Sequence, residues 1–480
     1  MSVATIPPAD IADVANVGDI AGPSPSVWRR VFRARDYDTV SYLTAYLVLL
    51  MFIPSSLIFA PLGGTGTPAA VFSVGLLLWY IASWLVGRII PSGAGRAIRT
   101  GMLLYSLAVI ASFVAAMTRD ATQVEVLGAI RGLLTIAAWA GLLIVITQSV
   151  TSYDRLETLL RRLVIFGSIV AAIGILEYYS GLNFTNYIQI PGLSNNIDFN
   201  TLMDRNGLNR PSSTSVDPIE FGVVMSMILP LALHQAITYT HLGQLRMGFL
   251  RRWLPVVLIA GAIPLSVSRS GLVTAAAGLI VLFVAWTPRQ RITAIVFGVL
   301  GLGALKAVAP GLIGTFLNFF AQMFGPANSQ QSVSTRTDDY ARNWQYIVER
   351  PFFGRGFGTF LPEIYSWTDN MYLNTLIEVG CVGLICLLVL YLAGIHCAAS
   401  GRRYAQGEAR RSLGQALLAT IVVACVGTAI FDSLGFPMFA GTFFLLLGLT
   451  GAYQGIMKRE STSLPTLLPA MAAANPAMPE

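Results

Sequence analysis

Long apolar segments recur along the whole chain and alternate with shorter polar loops. A helix needs about 20 apolar residues to cross the hydrocarbon core of a bilayer, and about twelve segments have roughly that length. They lie at 39–60, 67–87, 100–117, 129–149, 160–180, 218–238, 253–268, 270–287, 291–309, 371–398, 413–432 and 437–456. The pattern predicts an all-α polytopic membrane protein with about twelve transmembrane helices.

The composition agrees with a membrane protein, because 55% of the residues are hydrophobic and only 11% are charged. A soluble domain carries roughly 25% charged residues. The net charge of +7 does not indicate nucleic-acid binding, since the basic residues gather in short loops, as they do where charge sets membrane topology. The four cysteines and three histidines lack metal-ligand spacing, so we expect neither a disulfide nor a metal site.

Basic residues predict which loops face the cytoplasm. Arginine and lysine are enriched in cytoplasmic loops, and every second loop of this chain is basic, seven times in succession. The basic segments begin at Arg29, Arg88, Arg155, Arg246, Arg289, Arg402 and Lys458. Both termini are therefore predicted to be cytoplasmic, and the loops between the basic ones are predicted to face outside.

The same pattern divides the chain into three parts. Residues 1–36 and 459–480 are polar or rich in alanine and proline and are predicted to be disordered cytoplasmic extensions. Residues 37–458 form the predicted transmembrane bundle. Its outer loop at 310–370, between the ninth and tenth spans, is the longest hydrophilic interruption. We expect the chemistry in this loop and at arginines in two other outer loops.

The first of these arginines, Arg269, lies in the short polar bridge Ser266–Gly271 between two apolar spans. An arginine deep in hydrocarbon costs about 2.5–3.5 kcal/mol or more. One interpretation is an interfacial anchor whose head reaches the lipid head groups. The three serines beside Arg269 favour the other interpretation, a protected polar pocket.

The second arginine, Arg210, lies in a Ser/Thr-rich segment just before the sixth span. Hydroxyls and backbone N–H groups at a helix start favour anions. The segment also fits ordinary capping, with Asp217 as N-cap and Pro218 at the first helical position. Glu220, one turn into the span, is predicted to pair with Arg210 and position it.

The long outer loop contains a segment with helical spacing at 334–350, which Pro351 ends. One face of this segment is apolar and consists of Tyr340, Trp344, Ile347 and Val348. We predict a surface helix over the membrane face, with Arg336 and Arg342 near its start. For Glu349 and Arg350, a solvated face is at least as good an interpretation.

A glycine-rich run, Gly354–Gly358, follows this helix. It resembles a phosphate-binding loop only superficially, because no strand–loop–helix unit surrounds it. We predict a flexible turn that packs phenylalanines onto the bundle, and Arg355 stays a candidate for binding. The phenylalanines are Phe352, Phe353, Phe357 and Phe360.

Asp369 directly precedes the tenth span and has two interpretations of equal weight. Aspartate often caps helices, and it can also act as a catalytic base. Gly380 and Gly383, three residues apart, share a helix face and would permit close helix packing.

Several motifs together resemble the O-antigen ligase and O-antigen polymerase family of bacterial envelope glycosyltransferases. The spacing of Asp369-Asn370, nine residues, Gly380, two residues and Gly383 is similar to a motif that follows a large periplasmic loop in the ligases. The resemblance implies that Arg210 and Arg269 bind a lipid-linked diphosphate, assisted by Arg336 or Arg342. It also implies that Asp369 accepts or orients the acceptor hydroxyl, with Asn370 and Glu220 in support.

The ligases carry histidine where this chain has Asp369. Aspartate is a weaker base than imidazole, and the replacement favours a polysaccharide polymerase over a ligase. A scaffold or sensor would leave the arginine-bearing segments unexplained.

The resemblance implies a metal-independent, inverting glycosyltransferase without cofactors. Its donor would be a glycan on a polyprenyl diphosphate, such as undecaprenyl diphosphate, and its acceptor a glycan or lipid. The expected location is the bacterial inner membrane, with the active site facing the periplasm and envelope-assembly proteins as further partners. The alternatives are an O-antigen-type ligase and a secondary transporter or lipid flippase. Transporters usually show internal repeats, and none is visible here.

Overall fold

The structure is a computed structural model that places helices along most of the chain. It describes residues 39–87, 93–196, 202–205, 207–241, 248–308, 311, 314, 341–362, 364–366 and 368–474. The predicted N-terminal extension and Arg336 lie outside these residues.

The described residues fold almost entirely into α-helices. The helices are α1 (Thr39–Phe52), α2 (Pro68–Leu85), α3 (Arg96–Met117), α4 (Gln123–Ser149), α5 (Tyr153–Ser180), α6 (Pro218–His241), α7 (Phe249–Leu265), α8 (Arg269–Ala285), α9 (Pro288–Val308), α10 (341–349), α11 (Met371–Glu378), α12 (Gly380–Tyr404), α13 (Glu408–Thr428) and α14 (Pro437–Ala474). Two antiparallel pairs of very short strands complete the elements, and they are β1 (Leu57–Ile58) with β2 (Ser194–Asn195) and β3 (Met203–Arg205) with β4 (Leu208–Arg210).

Each predicted apolar segment overlaps a helix, so the prediction of an all-α membrane protein is confirmed. Within the described residues, eight helices are long and apolar enough to cross a membrane, and the shorter helices α1 and α8 are also apolar. Twelve spans therefore remain a prediction. The last helix, α14, continues to Ala474, into the segment predicted to be a disordered tail.

The segment predicted as a single span at 371–398 is two helices in the structure. α11 ends at Glu378 and α12 begins at Gly380, which has a positive φ of 76°. A Cβ at Gly380 would lie 2.3 Å from the backbone oxygen of Phe352. Glycine is needed here because only it combines this backbone conformation with such close contact, and the apolar pattern alone does not reveal the break.

The bundle is built around its last helix. In α14, 89% of the apolar span is buried, and in α6 the buried share is 78%. At the other extreme, only 17% of α2 is buried, and large apolar side chains such as Leu78 and Trp84 are exposed on it. Exposed apolar surface of this kind suits a helix that faces lipid.

The loops meet at two opposite ends of the bundle. At the first, which we call the loop-rich end, β1 pairs with β2, Ser55 N–H donates to Thr214 O and Arg350 donates to Ala115 O. At the second, the basic end, Arg459 donates to Thr151 O and Arg410 pairs with Glu460. The predicted outer loops gather at the loop-rich end, whereas the membrane side of each end stays a prediction.

Candidate functional site

The segment after β4 brings Arg210 to the start of α6. Asn209 Nδ2 donates to Tyr178 O at 2.9 Å. Ser213 donates its N–H to Glu177 Oε2 at 2.8 Å and its hydroxyl to Val170 O at 2.9 Å. Since these partners belong to α5, the segment that carries Arg210 is fixed against that helix.

Asp217 caps α6 and also belongs to a charged cluster. Its Oδ1 accepts the N–H of Ile219 at 2.6 Å, which confirms the predicted cap before Pro218. Burial raises the pKa of Asp217, the Ile219 hydrogen bond and the charge of Arg210 oppose this shift, and the charge of Asp369 adds to it. Arg210, Asp217 and Asp369 therefore share one electrostatic environment.

The predicted pairing of Glu220 with Arg210 is wrong. Glu220 is fully buried, and its carboxylate accepts the backbone N–H groups of Val216 at 2.9 Å, Met438 at 2.7 Å and Phe439 at 3.0 Å. Both oxygens are thus occupied by backbone donors. Glu220 supports the site by joining the starts of α6 and α14.

Arg269 is the first residue of α8 and lies beside the first turns of α6. The hydroxyl of Ser226 in α6 donates to Gly271 O at 2.9 Å, and a Cβ at Gly271 would lie 3.2 Å from the Cα of Gly222. The two helices approach as closely as glycine allows, so Arg269 is held close to the segment that carries Arg210 and Asp217.

The serines around Arg269 shape the turn between α7 and α8. The hydroxyl of Ser266 donates to Ile263 O, and that of Ser268 caps α8 by accepting the N–H of Gly271. The sequence suggested that these serines create a polar pocket. In the structure, the hydroxyls of Ser266 and Ser268 satisfy backbone groups instead.

Both arginine segments contain unusual backbone. Among the described residues, Ser213 and Val267 are the non-glycine residues with positive φ, at 51° and 49°. Such a conformation is rare, and for a β-branched valine it is a genuine outlier. Strained residues cluster at functional sites, and these two lie three and two residues from Arg210 and Arg269 in the chain.

Asp369 does not cap the helix that follows it. The Oδ1 of Asn370 accepts the N–H groups of Tyr372 at 2.9 Å and Leu373 at 3.2 Å, so Asn370 is the N-cap of α11. The Asp369 side chain is exposed and makes no hydrogen bond within the part of the chain that the structure describes. The structure therefore excludes the interpretation of Asp369 as a helix cap.

A carboxylate that the sequence did not single out, Asp432, lies in the same environment. It precedes α14, and its Oδ1 accepts from Asn374 Nδ2 at 3.4 Å. Burial raises the pKa of Asp432 to about 6, the Asn374 hydrogen bond opposes this, and the charge of Asp369 adds to it. The available signal was a single acid in a predicted outer turn between two apolar spans.

The glycine-rich run Gly354–Gly358 is a tightly bound loop rather than a flexible turn. It wraps around the end of α11, where Gly356 N–H donates to Glu378 O at 2.8 Å and Phe360 N–H donates to Glu378 Oε1 at 3.1 Å. Burial raises the pKa of Glu378 to about 8, although backbone hydrogen bonds from Gly358, Phe360 and Thr359 oppose this shift, and the charge of Asp432 adds to it. Phe357 and Phe360 are buried, whereas Phe352 and Phe353 are exposed.

The charges around this loop are structural. Arg355 pairs with Glu349, donates to Tyr365 Oη at 3.0 Å and lies over the ring of Tyr346. Arg350 donates to the last turn of α3 at Ala115 O. Glu349 is exposed, as the solvated-face interpretation predicted, even though it pairs with Arg355. Arg350 is instead partly buried against α3, and Arg355 holds α10 against the loop.

The surface helix is confirmed only in part. α10 buries Ile347, but Trp344 and Val348 are exposed, and Tyr340 lies outside the described residues. Arg342 is on the exposed side of the first described turn.

A cavity of about 380 Å³ lies at the loop-rich end, beside Asp432. Its polar lining includes Thr65, Thr67, Ser73, Arg131, Thr135, Asn374, Glu378 and Asp432. Arg210, Arg269 and Asp369 do not line it. Asp432 thus belongs both to the lining of this cavity and to the electrostatic environment of Asp369.

The middle of the chain matches a known protein family. Residues 254–388 match a family model described as O-antigen ligase. The match begins in α7, contains Arg269 and Asp369, and ends within α12. It confirms the resemblance predicted from the sequence motifs. No curated protein matches the chain significantly.

Proposed function

We propose that this chain, a member of the O-antigen ligase and polymerase family, is a membrane glycosyltransferase. It moves a glycan from a polyprenyl diphosphate carrier to a sugar hydroxyl on the outer face of the cytoplasmic membrane. The proposal rests on the electrostatic environment that Arg210, Asp217 and Asp369 share and to which Asp432 also belongs. This environment combines a guanidinium, which suits a diphosphate, with carboxylates that can accept a proton.

The arginines have the chemistry that a diphosphate leaving group requires. A guanidinium keeps its proton at neutral pH and forms paired hydrogen bonds to phosphate oxygens. Arg210 and Arg269 reach the start of α6 on two different segments of the chain, each of which contains a residue with positive φ. We assign the diphosphate to these two arginines, with Arg336 or Arg342 assisting.

The carboxylates have the chemistry that the acceptor requires. The acceptor oxygen bonds to the anomeric carbon as the bond from that carbon to the diphosphate oxygen breaks, and the electron pair leaves with the diphosphate. The acceptor proton moves to Asp369, which is exposed and caps no helix, with Asp432 as the neighbouring carboxylate. Direct attack inverts the anomeric centre, and no step requires a metal or a cofactor.

The acceptor decides between a polymerase and a ligase. Because Asp369 replaces the ligase histidine, we favour a polysaccharide polymerase, which extends another lipid-linked glycan. The family description favours the ligase. In a deletion strain, loss of long surface chains would identify a polymerase, whereas long chains left on the carrier would identify a ligase.

The function is tested with purified full-length protein, a labelled polyprenyl-diphosphate oligosaccharide and EDTA. We expect glycan transfer without added metal. Arg210→Gln and Arg269→Gln should each abolish it, and Arg269→Lys should impair it because lysine lacks the planar fork. Arg161→Gln at the basic end, where Arg161 is half-exposed, is the control. Unchanged transfer in both glutamine variants would contradict the diphosphate assignment.

A further inference from the structure

The cavity beside Asp432 contains an arginine that the proposed chemistry does not use. Arg131 lies in α4 and lines the cavity, eight residues after the helix begins at Gln123, or about 12 Å along its axis. A charged side chain within an apolar span is costly and is usually functional. The position of Arg131 therefore requires an explanation.

Arg131 has no protein partner in the described ranges. No hydrogen bond or ion pair joins its guanidinium to any described residue. Two acids line the same cavity, but Glu378 accepts from Phe360 N–H and Asp432 accepts from Asn374. Neither acid neutralises Arg131, so the cavity presents an uncompensated cation.

The surrounding backbone is built to accommodate this guanidinium. Gly63 has a positive φ of 58°, and a Cβ there would lie 2.5 Å from the Cζ of Arg131. Any other residue would be strained and would displace the guanidinium. The 3₁₀ turn Ala60–Thr65 thus has a glycine, Gly63, where the arginine lies against it.

The rest of the lining suits a sugar. The volume of about 380 Å³ lies within the roughly 300–1,000 Å³ of small-molecule sites. The cavity combines hydroxyls with the aromatic rings of Trp139 and Phe357. The Oδ1 of Asn374 is buried without a hydrogen-bond partner in the part of the chain that the structure describes. A sugar hydroxyl would supply the missing donor.

The position of the cavity relative to the carboxylates indicates which substrate it holds. Arg210 and Arg269 lie near the starts of α6 and α8 and do not line the cavity, whereas Arg131 in α4 does. Asp432 lines the cavity and feels the charge of Asp369, the proposed proton acceptor, so the cavity lies beside the carboxylates that the transfer requires. The acceptor therefore belongs in the cavity, and the diphosphate belongs outside it, at Arg210 and Arg269.

We propose that this cavity is the acceptor subsite and that Arg131 binds an anionic group on the acceptor sugar, a carboxylate or a phosphate ester. The guanidinium fork matches both groups. The assignment of the sugar as acceptor rests on the proposed glycosyl transfer, whereas binding of an anionic sugar does not. Arg131 then selects acidic over neutral acceptors.

The test measures how simple glycosides protect Arg131 of the full-length wild-type protein from phenylglyoxal, an arginine-selective reagent. Peptide mass spectrometry follows modification with methyl glucuronide, methyl glucoside 6-phosphate or neutral methyl glucoside present. We expect one anionic glycoside to slow modification of Arg131 by at least about fivefold relative to the neutral one. The glycoside that protects distinguishes a carboxylate from a phosphate ester.

Arg161, which is half-exposed at the basic end, is the internal control. Equal protection by neutral and anionic glycosides, no protection, or equal slowing at Arg161 overturns the proposal. Protection of Arg131 without any glycan transfer would uphold the binding site and contradict only the proposed function.

A transfer assay then separates selectivity from catalysis. Arg131→Gln should raise the KM for an acidic acceptor by about tenfold and leave its kcat unchanged. The KM for the matched neutral acceptor should not change. A fall in kcat for both acceptors, without a selective rise in KM, would assign Arg131 to the transfer step and contradict the subsite.

Discussion

The carboxylates at the loop-rich end differ in whether backbone N–H groups already occupy their oxygens. Glu220 is occupied by three backbone N–H groups, and Asp217 is occupied by the cap of α6. Asp369 accepts no such backbone hydrogen bond in the part of the chain that the structure describes, because its neighbour Asn370 caps α11. Residue type alone predicted candidates, but only the surroundings distinguish a structural acid from an available one.

Replacing Asp369 tests its role as the proton acceptor. Asp369→Asn should reduce glycan transfer by about 10²–10⁴-fold, the usual contribution of a general base. Its melting temperature should match the wild type, because Asn370 still caps α11. The measurements are transfer by purified protein and thermal unfolding in detergent.

The matched control is Asp120→Asn, which changes an exposed acid in the loop between α3 and α4. Transfer at the wild-type rate in Asp369→Asn would show that the carboxylate has no chemical role.

Ionisation of Asp432 should lower the stability of the folded protein as pH rises, whereas ionisation of a salt-bridged acid raises it. The pKa of Asp432 is about 6 in the folded protein, against an ordinary value of 3.8. Between these values the folded state binds more protons than the unfolded state, so stability falls as pH rises from about 4 to 6. At pH 7 the ionised Asp432 therefore carries a penalty on the order of 1–3 kcal/mol.

The variant Asp432→Asn removes this penalty. It should melt at a higher temperature than the wild type at pH 7 and lose that advantage near pH 4, as thermal unfolding at the two pH values would measure. Its transfer activity should fall, and wild-type activity should decline as pH drops below about 6. A variant that is less stable at pH 7 would contradict the buried, disfavoured charge.

At the scale of elements, the sequence predicts helices well and their interruptions poorly. The start of α6 follows from Asp217 and Pro218, which act locally. The break at Gly380 is invisible in the apolar pattern because it depends on the backbone of Phe352, which is distant in the chain. Asp432 and Arg131 were missed for a similar reason, since their roles depend on partners from other helices.

Gly380→Ala tests the break between α11 and α12. The left-handed backbone alone should cost about 1–2 kcal/mol, and the clash with Phe352 O should add to it. The expected result is a lower melting temperature together with reduced transfer, because α11 positions Asp369 and Asn374.

Gly75→Ala in the exposed middle of α2 is the control, since nothing lies within 4 Å of its new Cβ. It should leave stability unchanged or raise it slightly. Equal effects of the two substitutions would contradict the requirement for glycine at Gly380.

At the scale of the whole molecule, the alternation of basic loops predicts that the loop-rich end faces the periplasm. A membrane-impermeant maleimide applied to intact spheroplasts tests this in a cysteine-free background. Asp120→Cys at the loop-rich end should be labelled, and Glu408→Cys at the basic end should be labelled only after lysis. The reverse pattern would place the carboxylates in the cytoplasm and contradict the proposed reaction.

The weakly buried helix α2 has a consequence for how substrates arrive. Residues of its first turns, Ala69, Ala70 and Ser73, form part of the cavity wall, yet only 17% of the helix is buried. A single helix, about 10–12 Å across, thus stands between the cavity and the surrounding lipid. An amphiphile can therefore keep its tail in the hydrocarbon while its head group enters the cavity laterally, past α2.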